Sequence, residues 1–127
     1  MSESLSFMLS KELKYINNDT LRIIVEKTLD NSPKCISYIP ASSSGKYHPI
    51  ADLGEGGLVR HIITVTAIAK ELMCSDLFKD VTKDMWHTEK GLKTLEDCAI
   101  SACILILSLK IWRKNMELSG IQKKLKL

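Results

Sequence analysis

Residues 40–73, with the sequence PASSSGKYHPIADLGEGGLVRHIITVTAIAKELM, form a polar loop that runs directly into an amphipathic segment. Small polar residues fill positions 42–45, and such residues favour turns over buried strands. After Gly57, apolar residues recur at steps of three or four positions: Leu58, Ile62, Val65, Ile68, Ala69 and Leu72. This spacing predicts a helix over about 57–73 with one buried face, and it puts His61 at the edge of that face.

The same stretch holds a dense group of chemically capable side chains. Lys46, His48, Glu55 and Arg60 are predicted to bind a phosphate-bearing ligand, since arginine binds phosphate with its planar fork and lysine as a point charge. A helix N-terminus next to several glycines also favours anions. The simpler alternatives stay open: Lys46 and Arg60 as surface charges, and His48 as a loop histidine packed against Tyr47 or Pro49.

Two motifs in this stretch, PASSSGKYHP at 40–49 and GEGGLVRH at 54–61, resemble a branch of the HD-domain family. These are metal-dependent phosphohydrolases of bacteria and their phages. The resemblance covers about residues 20–110 and implies a compact all-α bundle of HD-domain type. It also implies a divalent metal cofactor, a nucleotide or other phosphoester as ligand, and His61 as the first metal ligand.

The chain departs from the family pattern at the second motif. The family has a His-Asp pair on a later helix, whereas the matching positions here hold Ile106 and Leu107. Neither side chain can bind a metal, and the family's distant Asp ligand has no counterpart. Losing these ligands should remove nearly all metal affinity. The resemblance therefore implies a degenerate metal site with no assigned catalytic residue, and whether the chain is an enzyme stays open. The alternative is a catalytically inactive phosphate-binding module or a regulatory or interaction module.

The rest of the chain is predicted to be helical and to form a single domain over 1–127. Predicted helices cover 4–16 and 20–29, the second capped by Asp19, and a short extended piece covers 35–39. One further short helix falls within 75–90. A last helix, capped at 94–97 and running to about Trp112, is apolar nearly all round, so it is predicted to be central and to pack against the helix at 57–73.

Composition excludes several function classes. The 127 residues carry a net charge of +3, with 45% apolar and 26% charged residues, as in ordinary globular proteins. Before Lys110 there are twelve Lys and Arg against fourteen Asp and Glu, so nucleic acid is not an indicated partner. No signal peptide or confident membrane span is present, which predicts a cytoplasmic protein.

Two further expectations concern cysteines and the C-terminal segment. The four cysteines include no CxxC pair, and Cys98 and Cys103 are predicted to be reduced core residues. An HD-type bundle would continue beyond this chain, so the domain is expected to be truncated. Apolar surface at 104–112 would then lack its cover, which predicts a homo-oligomer.

Overall fold

The computed structural model describes residues 3–42, 45–83 and 88–118, except for the side chains of 107–118. Within these ranges it contains six α-helices, two short 3₁₀-helices and no strand, which confirms the predicted all-α class. The α-helices are α1 (Leu5–Met8), α2 (Ser10–Leu13), α3 (Asp19–Asp30), α4 (Gly57–Cys74), α5 (Asp76–Thr82) and α6 (Glu89–Leu118), and the 3₁₀-helices are Lys34–Ser37 and Ile50–Asp52.

The packing of α4 against α6 organises the molecule, as the apolar spacing predicted. Lys70, near the end of α4, ion-pairs with Glu96, near the start of α6, at 3.9 Å, which brings these two parts of the helices together. The core also takes residues from α1, α2, α3 and the first 3₁₀-helix. Its fully or nearly fully buried apolar members are Leu5, Leu9, Leu13, Ile16, Val25, Leu29, Ile36, Leu58, Val59, Ile62, Met73, Ile100 and Ile104.

The bounds of α4 agree with the predicted helix at 57–73 to within one residue. Ile62 is fully buried and Val65 is partly buried, whereas Ile68 and Leu72 of the predicted inner face are exposed. The buried face instead runs along the whole helix through Leu58, Ile62, Thr66 and Met73. Ser75 follows the helix, and its hydroxyl donates to the Leu72 carbonyl at 2.6 Å. The hydroxyl oxygen of Ser75 also accepts the Phe78 amide and so caps the start of α5.

The N-terminal region differs from the single helix predicted at 4–16. The chain leaves the helical conformation at Leu9 (φ −104°, ψ 20°), which divides it into α1 and α2. Leu9 is fully buried at this break, so tertiary packing overrides the local helical pattern. The predicted cap of α3 is also wrong by one residue. Asn18 accepts the Leu21 amide at 2.9 Å, while Asp19 lies in the first turn and pairs with Arg22.

Two further predictions are corrected. The piece predicted as extended at 35–39 begins within the 3₁₀-helix Lys34–Ser37. Helix α6 starts at Glu89 rather than at the predicted cap, and Thr94 lies inside it with its hydroxyl donating to the Lys90 carbonyl at 2.9 Å. Its described part is buried on one face only. Ile100, Ser101 and Ile104 face the core, whereas Cys98, Ala102 and Ile106 are exposed.

Asp97 ties α6 to the turn between α2 and α3. One carboxylate oxygen accepts the Asn17 amide at 2.7 Å and the Asn17 side-chain amide at 3.1 Å, and the other accepts the Asn18 amide at 2.8 Å. Asp97 is almost fully buried. A buried carboxylate is stable only when such donors satisfy it, so this contact fixes the start of α3 against α6.

The four cysteines are free thiols. Cys98 is exposed, which contradicts the prediction that it is a core residue, and Cys103 is partly buried. Burial raises the pKa of the Cys103 thiol above its ordinary value, because desolvation disfavours the thiolate. In the part of the chain that the structure describes, no helix is long and apolar enough to cross a membrane.

Candidate functional site

Backbone hydrogen bonds connect the N-terminal end of α4 to the loop residues at 45–56 and to residues 38–39, which precede the loop. The Gly56 amide donates to the Tyr38 carbonyl at 2.9 Å, and the Leu58 amide donates to the Ile39 carbonyl at 3.1 Å. The Gly57 amide donates to the Gly54 carbonyl at 3.0 Å. These amides are therefore engaged with carbonyls of residues 38–39 and of the loop, and an anion at this helix end would depend on side chains.

Gly56 and Gly57 make this junction sterically possible. Gly56 has a φ of 72°, a left-handed conformation that glycine adopts without the clash a Cβ atom causes. At Gly57 a Cβ atom would lie 1.9 Å from the Asp52 carbonyl oxygen, so only glycine fits. The glycine-rich sequence thus serves the close approach of the second 3₁₀-helix to the start of α4.

The Arg60 side chain connects the start of α4 to the loop through three hydrogen bonds. Its guanidinium donates from Nε and Nη2 to the Ala51 carbonyl at 3.0 and 2.8 Å, and from Nη1 to the Glu55 carbonyl at 2.7 Å. Three of the five guanidinium N–H groups are used in these bonds. The predicted phosphate residue Arg60 therefore has a structural role in the loop, with two N–H groups remaining for a ligand.

His48 and Asp52 of the loop lie next to His61 of α4. The His48 and His61 ring centroids are 4.7 Å apart, with the ring planes at 72° to each other. Nδ1 of His61 lies 3.4 Å from Oδ2 of Asp52, an ion-pair distance. Asp52 is only 6% exposed, and Nδ1 of His48 is buried with no hydrogen-bond partner among the described residues. Two imidazoles and one carboxylate thus form a compact polar cluster at the edge of the core.

The remaining predicted residues lie nearer to solvent. Lys46 and Glu55 are exposed on the loop, and the Glu55 carbonyl is the acceptor that Arg60 uses. Tyr47 is 99% exposed, so it does not bury His48, and the packing of His48 is against His61 instead. The structure therefore brings His48 and His61 together with Asp52, whereas Lys46 and Glu55 are exposed positions of the same loop.

The donor set does not fit a divalent metal of the kind that the resemblance implies. No group of three or more His, Cys, Asp or Glu side chains in the described ranges is arranged to hold a metal ion. At the positions that the resemblance aligns with the family's His-Asp pair, Ile106 carries no donor atom, and the Leu107 side chain lies outside the described part.

Asp52 is not among the site residues predicted from the sequence. Sequence spacing did not distinguish it from Glu55, because both are acidic residues of one irregular loop. Only the folded backbone turns Asp52 inward and Glu55 outward. A separate cavity of about 680 Å³ opens between the start of α3 and the first turns of α6, and its lining includes none of the predicted site residues.

Comparisons of the chain with family models, with curated proteins and with solved structures gave no match in any of the three. The likeness to HD-domain proteins therefore rests on the two motifs at 40–49 and 54–61.

Proposed function

We propose that this chain binds the phosphate group of a nucleotide or another phosphoester, as a relative of HD-domain phosphohydrolases with a degenerate metal site. The observation that carries the proposal is the cluster of His48, Asp52 and His61 where the loop meets α4. Imidazoles at a loop edge suit an anion, because a protonated ring nitrogen donates a charged N–H group to a phosphate oxygen.

Other charged residues of the loop and of the start of α4 have chemistry that suits the same ligand. Lys46 is an exposed cation on the same loop, and Arg60 keeps two guanidinium N–H groups beyond its three bonds to the loop. Glu55 is an exposed anion that would repel phosphate, so its carboxylate suits a ligand hydroxyl instead. Together these groups favour a phosphoester whose organic part carries a hydroxyl group.

Hydrolysis by this chain is expected to be weak or absent. Metal-assisted attack on a phosphoester needs several His or carboxylate ligands and an open coordination position. Ile106 supplies no ligand where the family places one, and the described residues include no metal-binding group of three donors. Binding without turnover is therefore the function that we infer.

Calorimetric titration with inorganic phosphate and with nucleoside monophosphates tests this proposal, together with a hydrolysis assay in Mn²⁺. We expect Lys46→Gln and His61→Gln each to weaken phosphate binding about 10-fold, since a charge-assisted hydrogen bond contributes roughly 1.5 kcal/mol. Lys79→Gln, an exposed lysine of α5, is the matched control and should bind as the unmodified chain does. Absence of binding at millimolar phosphate, or rapid Mn²⁺-dependent hydrolysis, would contradict the proposal.

A second candidate function is a regulatory or interaction module that associates with a second copy of the chain. The observation that favours it is Ile106, which is 62% exposed in the last described part of α6. An exposed apolar side chain on a long helix is a common element of association surfaces.

A further inference from the structure

Backbone contacts hold Asp52 in place on three sides. Its carbonyl oxygen accepts the Ala41 amide at 2.9 Å, and its own amide donates to the Pro49 carbonyl at 2.9 Å. The Gly57 backbone packs against the same carbonyl so closely that no Cβ atom would fit. The position of the Asp52 side chain is thus set by the fold of the loop before any ligand arrives.

The hydrogen bonds of Arg60 also fix the backbone on either side of Asp52. Two of its guanidinium bonds end on the Ala51 carbonyl, and a third ends on the Glu55 carbonyl, so both sides of Asp52 in the chain are fixed. Charge-assisted bonds of this kind are stronger than neutral ones. The backbone of Asp52, which carries the carboxylate, therefore has little freedom to move.

The Asp52 carboxylate faces His61 from a buried position. Burying a carboxylate is costly unless a donor or a cation accompanies it. His61 Nδ1, 3.4 Å from Oδ2, is the ion-pair partner that the described residues provide. The edge-on packing of His48 against the His61 ring restricts the ring further.

We propose that Asp52 is the positioning residue of His61. Its carboxylate accepts a hydrogen bond from Nδ1–H of His61, so that Nε2 is the nitrogen that meets the ligand and donates its N–H to a phosphate oxygen when the ring is protonated. A carboxylate beside one imidazole nitrogen fixes both the tautomer and the orientation of the ring. The long separation is expected to shorten on ligand binding, as such contacts often do. The role towards a ligand rests on the proposed phosphate-binding function, whereas the tautomer does not.

Long-range ¹H–¹⁵N spectra of the histidine rings test the tautomer directly, recorded where the His61 ring is neutral. We expect the Nδ1–H form of His61 to exceed the Nε2–H form at least 10-fold in the unmodified chain. The excess should fall to about 2-fold or less in Asp52→Ala, with Asp52→Asn intermediate because its amide keeps an oxygen acceptor. Glu71→Gln, at an exposed position of α4, is the control and should leave the ratio unchanged.

A predominant Nε2–H form in the unmodified chain would overturn the proposal even if both Asp52 variants fail to fold. An unchanged ratio in folded Asp52→Ala and Asp52→Asn would overturn it as well. Titration with inorganic phosphate supplies the second readout. We expect the largest ¹⁵N shift of His61 at Nε2 and about 5-fold weaker binding in Asp52→Asn. If phosphate does not bind but the tautomer result holds, the proposed function fails and the positioning of His61 by Asp52 stands.

Discussion

The carbonyl oxygen of Asp52 lies so close to Gly57 that a Cβ atom there would be only 1.9 Å away. We expect Gly57→Ala to lower the free energy of unfolding by about 3 kcal/mol or more, because backbone must move to relieve the overlap. Gly54→Ala is the matched control, since the nearest atom to its Cβ would be the flexible Nη2 of Arg60 at 3.8 Å. Urea denaturation of both variants measures the difference, and equal midpoints would contradict the argument.

Thr66 lies on α4 with its hydroxyl fully buried and without a hydrogen-bond partner among the described residues. Thr66→Val should raise the free energy of unfolding by about 1 kcal/mol, since it replaces an unsatisfied polar group with a methyl of similar size. In Thr64→Val the lost hydroxyl is exposed and bonds to the Arg60 carbonyl, so no gain is expected. Thermal unfolding of the two variants distinguishes them. A loss of stability in Thr66→Val would show that the hydroxyl has a partner in solution.

Asp97 accepts three hydrogen bonds from Asn17 and Asn18 in a buried position. We expect Asp97→Ala to cost about 3 kcal/mol, because it leaves these amides unpaired near the core. Asp80→Ala, at an exposed position of α5, should change stability by less than about 0.5 kcal/mol. Chemical denaturation measures both, and similar midpoints would refute the importance of this contact.

Ile106 is 62% exposed, and it belongs to the segment at 104–112 that was predicted to lack its cover. Ile104 of that segment is fully buried, and the side chains of 107–112 lie outside the described part. We expect the chain to self-associate and Ile106→Glu to shift it towards monomer in sedimentation velocity. Leu77→Glu on α5, also at an exposed apolar position, should leave the association unchanged. A monomeric unmodified chain at all concentrations would contradict the prediction.

Restoring metal ligands tests the alignment with the HD-domain pattern. Ile106→His together with Leu107→Asp should create measurable Mn²⁺ or Ni²⁺ affinity in calorimetry, because isolated ligands bind weakly and grouped ligands bind well. The same double substitution with His61→Ala should lose it. Tight binding by the unmodified chain would refute the degenerate site. Unchanged weak binding in the double substitution would show that the alignment at 105–110 is wrong.

Periodic apolar spacing was enough to predict α4 to within a residue and its packing against α6, because both depend on burying a helix face. The start of α6 was wrong because Thr94 looks like a cap in sequence, yet its hydroxyl bonds inside the helix. The break at Leu9, a buried leucine, has no glycine or proline that would have predicted it from the sequence. Arg60 illustrates the limit for sites: its charge suggested a ligand contact, whereas two loop carbonyls take most of its donors.

The contact between Asn17 and Asp97 has a consequence for synthesis of the protein, because the two residues are 80 positions apart. Closing a loop of that length is entropically costly, and distant contacts of this kind slow folding. A ribosome makes α1, α2 and α3 long before it makes the carboxylate that α3 docks on. The apolar faces of α1, α2 and α3 therefore stay uncovered until most of the chain has been synthesised. Exposed apolar surface of this kind makes a nascent protein prone to aggregation and dependent on chaperones.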